Sequence, residues 1–158
     1  MSVLHDELMR DEGLRLRVYR CTAGKLTVGV GRNLDDVGIS AAETARLGCT
    51  KATAIAKGVT RAQALGLLDA DIERAERDLD RELPWWRGLD EVRRRVLVNM
   101  TFNLGIRGLL GFRNTLAKVK AGSYAAAADG MMASKWAGQV GARAERLTAM
   151  MRTGAVAV

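Results

Sequence analysis

The chain reads as an α+β protein, mostly helical, with a small β-hairpin lobe near the N-terminus, a long connecting helix and a helical lobe after it. Three observations predict this. Alanine, leucine and arginine are abundant and Pro84 is the only proline, a composition that favours helices. Val, Ile, Thr and Tyr, which favour strands, thin out after about the first thirty positions. A long amphipathic pattern then follows residue 60, with an apolar stripe narrow enough for a helix that connects two lobes.

In chain order, Val3 to Glu12 predicts a short helix, with Leu4 and Leu8 one turn apart on a face that Glu12 extends. The alternation from Leu14 to Arg20 predicts a strand with one buried face. Thr22-Ala23-Gly24 supplies a turn, and Leu26 to Gly31 reads as the returning strand. Ser40-Ala41-Ala42-Glu43 has capping-box spacing and should start a short helix. Thr60-Arg61-Ala62-Gln63 repeats the signature and opens the long helix, whose stripe is Leu65, Leu68, Ile72, Ala75 and Leu79, with Pro84 closing it. Helices are then expected from about Asp90 to Leu104, ended by Gly105, and over Asn114 to Ala121, Ser123 to Met132, and Ala142 to Arg152, the last closed by Gly154. The whole chain, 1–158, is read as one domain: an N-terminal lobe at about 13–59, a connecting helix at about 60–82, and a helical lobe at about 83–158 that also takes the N-terminal helix.

At 158 residues, with 48% apolar and 27% charged residues, the chain can bury a core of its own. The net charge of +7 attracts polyanions: nucleic acid, acidic membranes, or the anionic polymers and peptide carboxylates of a bacterial wall. Charge alone does not choose among them. No stretch approaches the ~18 apolar residues of a membrane span. The first residues lack a basic segment followed by an apolar run, so no export signal is expected, and Cys21 and Cys49 are expected as reduced thiols. His5 is the single histidine and makes no metal site alone. Arg93-Arg94-Arg95 fans out around a helix and reads as a solvated face.

The chemistry concentrates near the N-terminus. Glu12 ends a helix on the extension of its apolar face, followed by Gly13, so its carboxyl can border a core and still open onto a cleft. Burial of that kind raises a carboxyl pKa and prepares a proton donor. The hairpin turn brings Cys21 and Thr27 towards each other on neighbouring strands. Spacing by itself leaves both readings open, because a strand cysteine or threonine is also an ordinary packing residue.

The segment Arg10 to Leu34, RDEGLRLRVYRCTAGKLTVGVGRNL, resembles the phage-type lysozymes of glycoside hydrolase family 24, the endolysins of tailed phages. That family has a Glu, eight residues, an Asp or sometimes a Cys, five residues and a Thr, and Glu12, Cys21 and Thr27 match the pattern. The likeness continues through VNMTFNLG (Val98 to Gly105), GFRNTL (Gly111 to Leu116), SKW (Ser134 to Trp136), ARAERL and MMRTG up to Gly154. The resemblance implies a two-lobed lysozyme-like fold and hydrolysis of the bond between N-acetylmuramic acid and N-acetylglucosamine in peptidoglycan. It implies Glu12 as general acid, Cys21 in the place of the commoner aspartate, and Thr27 holding a water or the sugar. Phe102, Asn103, Thr115 and Trp136 match positions in or beside the sugar cleft, and Arg143 matches an arginine near the catalytic glutamate. Gly130 stands where some relatives have a polar cleft residue. No metal or organic cofactor is implied. The implied setting is a monomer made in the host cytoplasm that reaches the wall through a holin, with neither nucleic-acid binding nor stable membrane insertion. Two alternatives stay open on sequence: a lytic transglycosylase cutting the same bond, and a non-catalytic basic module that binds nucleic acid or membranes.

Overall fold

The structure is a computed structural model describing residues 2–156; Met1 and the last two positions of the expected C-terminal lobe, 157 and 158, lie outside the described residues. The chain forms two compact units, which divide between Glu73 and Arg74 within one long helix. The N-terminal helix belongs to the first unit.

In the first unit, helix α1 covers Val3–Glu12. Ser2 caps it, its Oγ accepting from the His5 N–H at 3.4 Å, and Gly13, at φ 78°, stops it. The expected hairpin is strand β1 (Arg15–Arg20) paired antiparallel with β2 (Leu26–Gly29). A third strand, β3 (Arg32–Asn33), completes a sheet of order β1-β2-β3. The returning strand read as Leu26 to Gly31 therefore ends early. Gly29 and Gly31 adopt φ of 68° and 69°, a region open to glycine at little cost, and the chain folds back there into β3. β1 is also less regular than its alternation suggests. Arg15 pairs with Gly29 and Tyr19 with Thr27, leaving Leu16, Arg17 and Val18 opposite Val28 alone in a bulge.

Helix α2 (Ala41–Leu47) begins at the expected capping box, with the Glu43 N–H donating to Ser40 Oγ and the Ser40 N–H to Glu43 Oε1. Helix α3 (Lys51–Lys57), capped by Thr50, was not expected; only Ala54 of its seven residues is buried, too little for a periodic signal. Val28, Leu34, Cys49, Ala54, Val59 and Ala64 form the core of this unit, with Leu14, Val18 and Leu26 packed against them.

Burial here includes a cation. Arg32 is 2% exposed, and its guanidinium donates to both Glu43 carboxylate oxygens (2.9 and 2.7 Å), to Asp71 (3.1 Å) and to the carbonyls of Gly38 (3.0 Å) and Leu67 (3.1 Å). One side chain thus ties β3 to α2 and to helix α4, Arg61–Glu82. Arg32 holds the Glu43 carboxyl down at about 2, far below its ordinary 4.5. α4 starts with the second expected box, Thr60 and Gln63. Leu68, Ile72, Ala75 and Leu79 of its stripe are buried, Leu65 partly so, and Ala64 and Leu67 widen the buried face.

The second unit continues through a 3₁₀ turn, Trp86–Gly88, into α5 (Glu91–Leu110), α6 (Arg113–Lys120), α7 (Tyr124–Met132), α8 (Lys135–Val140) and α9 (Ala142–Thr153). Gly105 breaks α5 with φ 72° and ψ 162°, where the helix was expected to end, but the chain resumes helical turns to Leu110. α9 packs on α5, α7 and α8, burying Ala144, Leu147, Met150 and Met151.

The arginine run in α5 corrects the sequence reading. The side chain of Arg93 is only 12% exposed. It donates to the carbonyls of Met151 (2.7 Å) and Arg152 (3.1 Å), and its guanidinium lies 3.6 Å from the Tyr124 ring centroid. It satisfies orphan carbonyls at the C-terminal end of α9, where a cation also suits the helix dipole. Arg95 is buried as well, bonded to Glu91 at 3.1 Å. Residues fan around the axis as expected, but two of the three face protein. His5 bonds Asp69 at 2.5 Å through Nε2. Among the described residues no cluster of three His, Cys, Asp or Glu side chains is arranged to hold a metal, and no helix is long and apolar enough to cross a membrane.

Candidate active site

Glu12 is the last residue of α1 and is half-buried. The turn between β2 and β3 lies directly on it. A Cβ built on Gly31 would stand 2.9 Å from Glu12 Oε2 and 3.3 Å from its Cδ. Glycine at position 31 therefore gives the carboxyl its space, and Arg32, the next residue, anchors that turn through the buried ion network.

Thr27 sits on β2, 4% exposed, and its Oγ1 donates to the Lys25 carbonyl at 2.9 Å. Cys21 opens the hairpin turn: its N–H donates to the Lys25 carbonyl (2.9 Å) and its carbonyl accepts from the Gly24 N–H (2.8 Å). The thiol is half-buried and free, and so is the buried thiol of Cys49. The Lys25 amide holds Cys21 below the ordinary thiol value against a desolvation cost, helped by the Ala23 amide and the Thr27 hydroxyl. That hydroxyl has one hydrogen, so it serves the Lys25 carbonyl or, by rotating, a Cys21 thiolate. Cys21 and Thr27 are thus brought together as the hairpin predicts.

Tyr19 was not singled out by sequence reasoning, yet it links these groups. It pairs with Thr27 across the strands, and the Arg15 guanidinium lies 4.5 Å from its ring centroid. Burial first, and then the negative charge of Glu12, push its phenol pKa up; Arg15 opposes this and Cys21 adds to it. The phenol is therefore a neutral donor within the fields of both Glu12 and Cys21. A signal existed, since the hairpin register that opposes Cys21 to the turn also sets Tyr19 opposite Thr27.

The remaining expected residues all lie in the second unit. Trp136 is 4% exposed, donates from Nε1 to Asn103 Oδ1 at 2.8 Å, and meets Phe112 edge to face at 6.0 Å. Phe112 is a partner that sequence reasoning did not name. Thr115 is buried at 9% exposure, and a Cβ on Gly130 would come within 2.7 Å of its hydroxyl, so the glycine leaves room for that side chain. Arg143 is buried, not a solvated helix arginine, and donates from Nε to Asn99 Oδ1 at 2.9 Å. Phe102 is half-buried.

The phage lysozyme family model matches residues 9–152. The chain is 31% identical over 156 residues to the pre-baseplate central spike protein of Enterobacteria phage T4, covering 93% of this chain but only 27% of that protein. It thus spans about a quarter of the spike protein's length. It is 26% identical over 163 residues to probable T4-type lysozyme 1 of Dictyostelium discoideum, and 27% identical over 167 residues to probable T4-type lysozyme 2. Each of those alignments covers 98% of this chain and 96% of the relative.

Proposed function

From the premise that the chain belongs to the phage lysozyme family, and is a glycosidase of the muramidase type, we propose that it hydrolyses the bond between N-acetylmuramic acid and N-acetylglucosamine in peptidoglycan. The observation that carries this reading is the grouping of Glu12, Cys21 and Thr27 around Tyr19, at the spacing the family uses. In this mechanism Glu12 protonates the glycosidic oxygen as the bond to the anomeric carbon breaks. Cys21, whose thiol the turn amides hold below its ordinary value, stands where a carboxylate would otherwise serve. As a thiolate it either takes the proton of an attacking water held by Thr27, or attacks the anomeric carbon itself to form a glycosyl thioether that water, deprotonated by Glu12, then cleaves to release the thiolate. The product's anomeric configuration separates the two.

The test is Glu12→Gln, which keeps size and polarity but donates no proton. Clearing of purified peptidoglycan should fall by ~10²–10⁴-fold with the melting temperature preserved. Product mass distinguishes the reducing ends of hydrolysis from the anhydro-sugar of a transglycosylase. Full activity in Glu12→Gln refutes the mechanism.

The biological setting belongs to the same proposal. The resemblance to endolysins supports a monomer that accumulates in the host cytoplasm, reaches the wall through a holin and lyses the cell. The likeness to a phage spike protein supports a second placement, in which the same chemistry is delivered by a virion. Detection of the chain in purified particles, or only in late lysates, decides between the two.

A further inference from the structure

Tyr19 carries a hydroxyl that the chemistry of Glu12, Cys21 and Thr27 leaves unused. In an antiparallel pair, directly opposed residues share a face of the sheet, and alternate residues of a strand return to it. Tyr19 opposes Thr27. Cys21, two positions beyond Tyr19, continues the ladder, its N–H donating to the Lys25 carbonyl at 2.9 Å. Tyr19, Cys21 and Thr27 therefore stand on one face of the hairpin, while Leu26 and Val28, the alternate residues of β2, pack into the core. The charges of Glu12 and Cys21 both act on the Tyr19 phenol, so it is a neighbour of both.

The ring is held, but its hydroxyl is not. The Arg15 guanidinium lies 4.5 Å from the ring centroid. The bulge brings it there. In the register of Tyr19 with Thr27 and Arg20 with Leu26, Arg15 would fall opposite Gly31, past the end of β2; the bulge sets it opposite Gly29 instead. Its partner is then two residues from that of Tyr19, about 7 Å by strand geometry, a span that an arginine side chain crosses. Arg15 thus covers a ring face on which a sugar would otherwise stack, and the hydroxyl is the group left to meet one. Among the described residues that hydroxyl makes no hydrogen bond, although a tyrosine hydroxyl withdrawn from water ordinarily finds a partner. Tyr19 is half-buried and lines an open groove along β1. Burial and the Glu12 charge keep the phenol protonated, so it is available as a donor. Glycosidases hold the reacting sugar between two groups such as Glu12 and Cys21, and a donor beside both meets that sugar.

We propose that Tyr19 is a substrate-positioning residue whose hydroxyl donates to an oxygen of the sugar held between Glu12 and Cys21, and that Arg15, stacked on its ring, orients it for that contact. This role rests on the reading of the chain as a muramidase that works through Glu12 and Cys21. Arg15 acts through Tyr19 and does not itself touch the sugar.

The experiment measures, by calorimetry, binding of a peptide-free tetrasaccharide of alternating N-acetylglucosamine and N-acetylmuramic acid to the full chain silenced by Glu12→Gln. Tyr19→Phe keeps the ring and removes only the hydroxyl. It should weaken binding about three- to tenfold, the range of one hydrogen bond, with the melting temperature unchanged. The control is Tyr124, the other tyrosine of the chain, whose ring also lies under an arginine, Arg93, at 3.6 Å. Tyr124→Phe should change affinity by less than about twofold, below the span of one hydrogen bond. Arg15→Gln should weaken binding when Tyr19 is present and add nothing in Tyr19→Phe, because the two side chains act as a unit. Unchanged affinity in Tyr19→Phe overturns the contact, and equal losses from Tyr19→Phe and Tyr124→Phe overturn its location. Arg15→Gln costing the same in both backgrounds overturns its orienting role. A silenced parent chain that does not bind the tetrasaccharide removes the muramidase reading and the contact together, whereas a parent that binds it and a Tyr19→Phe variant that binds equally well overturn the contact alone.

Discussion

Glu43→Gln removes one charge from the buried network around Arg32, and its cost can be worked from the structure. Glu43 is 6% exposed and receives two guanidinium bonds, of 2.9 and 2.7 Å. A carboxyl held at about 2 instead of its ordinary 4.5 is bound more tightly as the anion by roughly 3 kcal/mol, at about 1.4 kcal/mol per tenfold. The replacement amide retains part of the hydrogen bonding, so about 2–3 kcal/mol is expected at pH 7, a fall in Tm of roughly 4–12 °C for a chain of this size. Because the folded-state value is depressed, the contribution is complete above about 4.5 and is lost as pH falls towards about 2. Urea unfolding of both proteins at pH 7, 4 and 2.5 should therefore show a gap that is widest at neutral pH and closes with acidification. Other acidic groups titrate in both proteins and largely cancel in the difference. A gap as wide at pH 2.5 as at pH 7 would refute the ionic account. A gap below 1 kcal/mol at pH 7 would put the buried network on a par with an exposed pair.

Gly31→Ala combines a φ of 69° with a Cβ 2.9 Å from Glu12 Oε2, so it should cost ~1–2 kcal/mol and at least tenfold in peptidoglycan hydrolysis. Gly48→Ala, with φ 79° and no atom within 4 Å of its Cβ, should cost similar stability but spare turnover; equal activity losses would contradict Gly31's role. Cys21→Asp should retain substantial activity where Cys21→Ala and Cys21→Ser lose most of it, and the opposite ranking would make Cys21 a packing residue. Site-resolved alkylation at pH 7 should modify Cys21 well before Cys49, whose buried thiol is pushed up first by desolvation and then by the Glu43 charge; Cys49 reacting first would contradict both assignments.

Much of the architecture was legible locally. Capping boxes at Ser40–Glu43 and Thr60–Gln63, and glycines at 13, 105 and 154, are signals carried within three or four residues, and each marks a helix boundary or break in the structure. The hairpin was equally readable, because alternation and a turn suffice to oppose two strands. Short helices with little buried surface, α3 above all, left no periodicity to read.

The sequence by itself determined which residue types stand at Glu12, Cys21 and Thr27, and the hairpin that joins the last two. Only the tertiary structure decided what surrounds them. Gly31 lies on Glu12 because the chain folds back into β3, and Arg15 comes opposite Gly29 because a bulge resets the register of β1 beyond Tyr19. Arg32 and Arg93 look like surface cations in the sequence. Each is drawn inside by partners 6 to 59 positions away: carboxylates and carbonyls for Arg32, carbonyls and an aromatic ring for Arg93. Periodicity reports the face on which a residue stands, whereas a buried charge is tolerated only where groups from several elements converge to replace its water, and that convergence exists only in the folded chain.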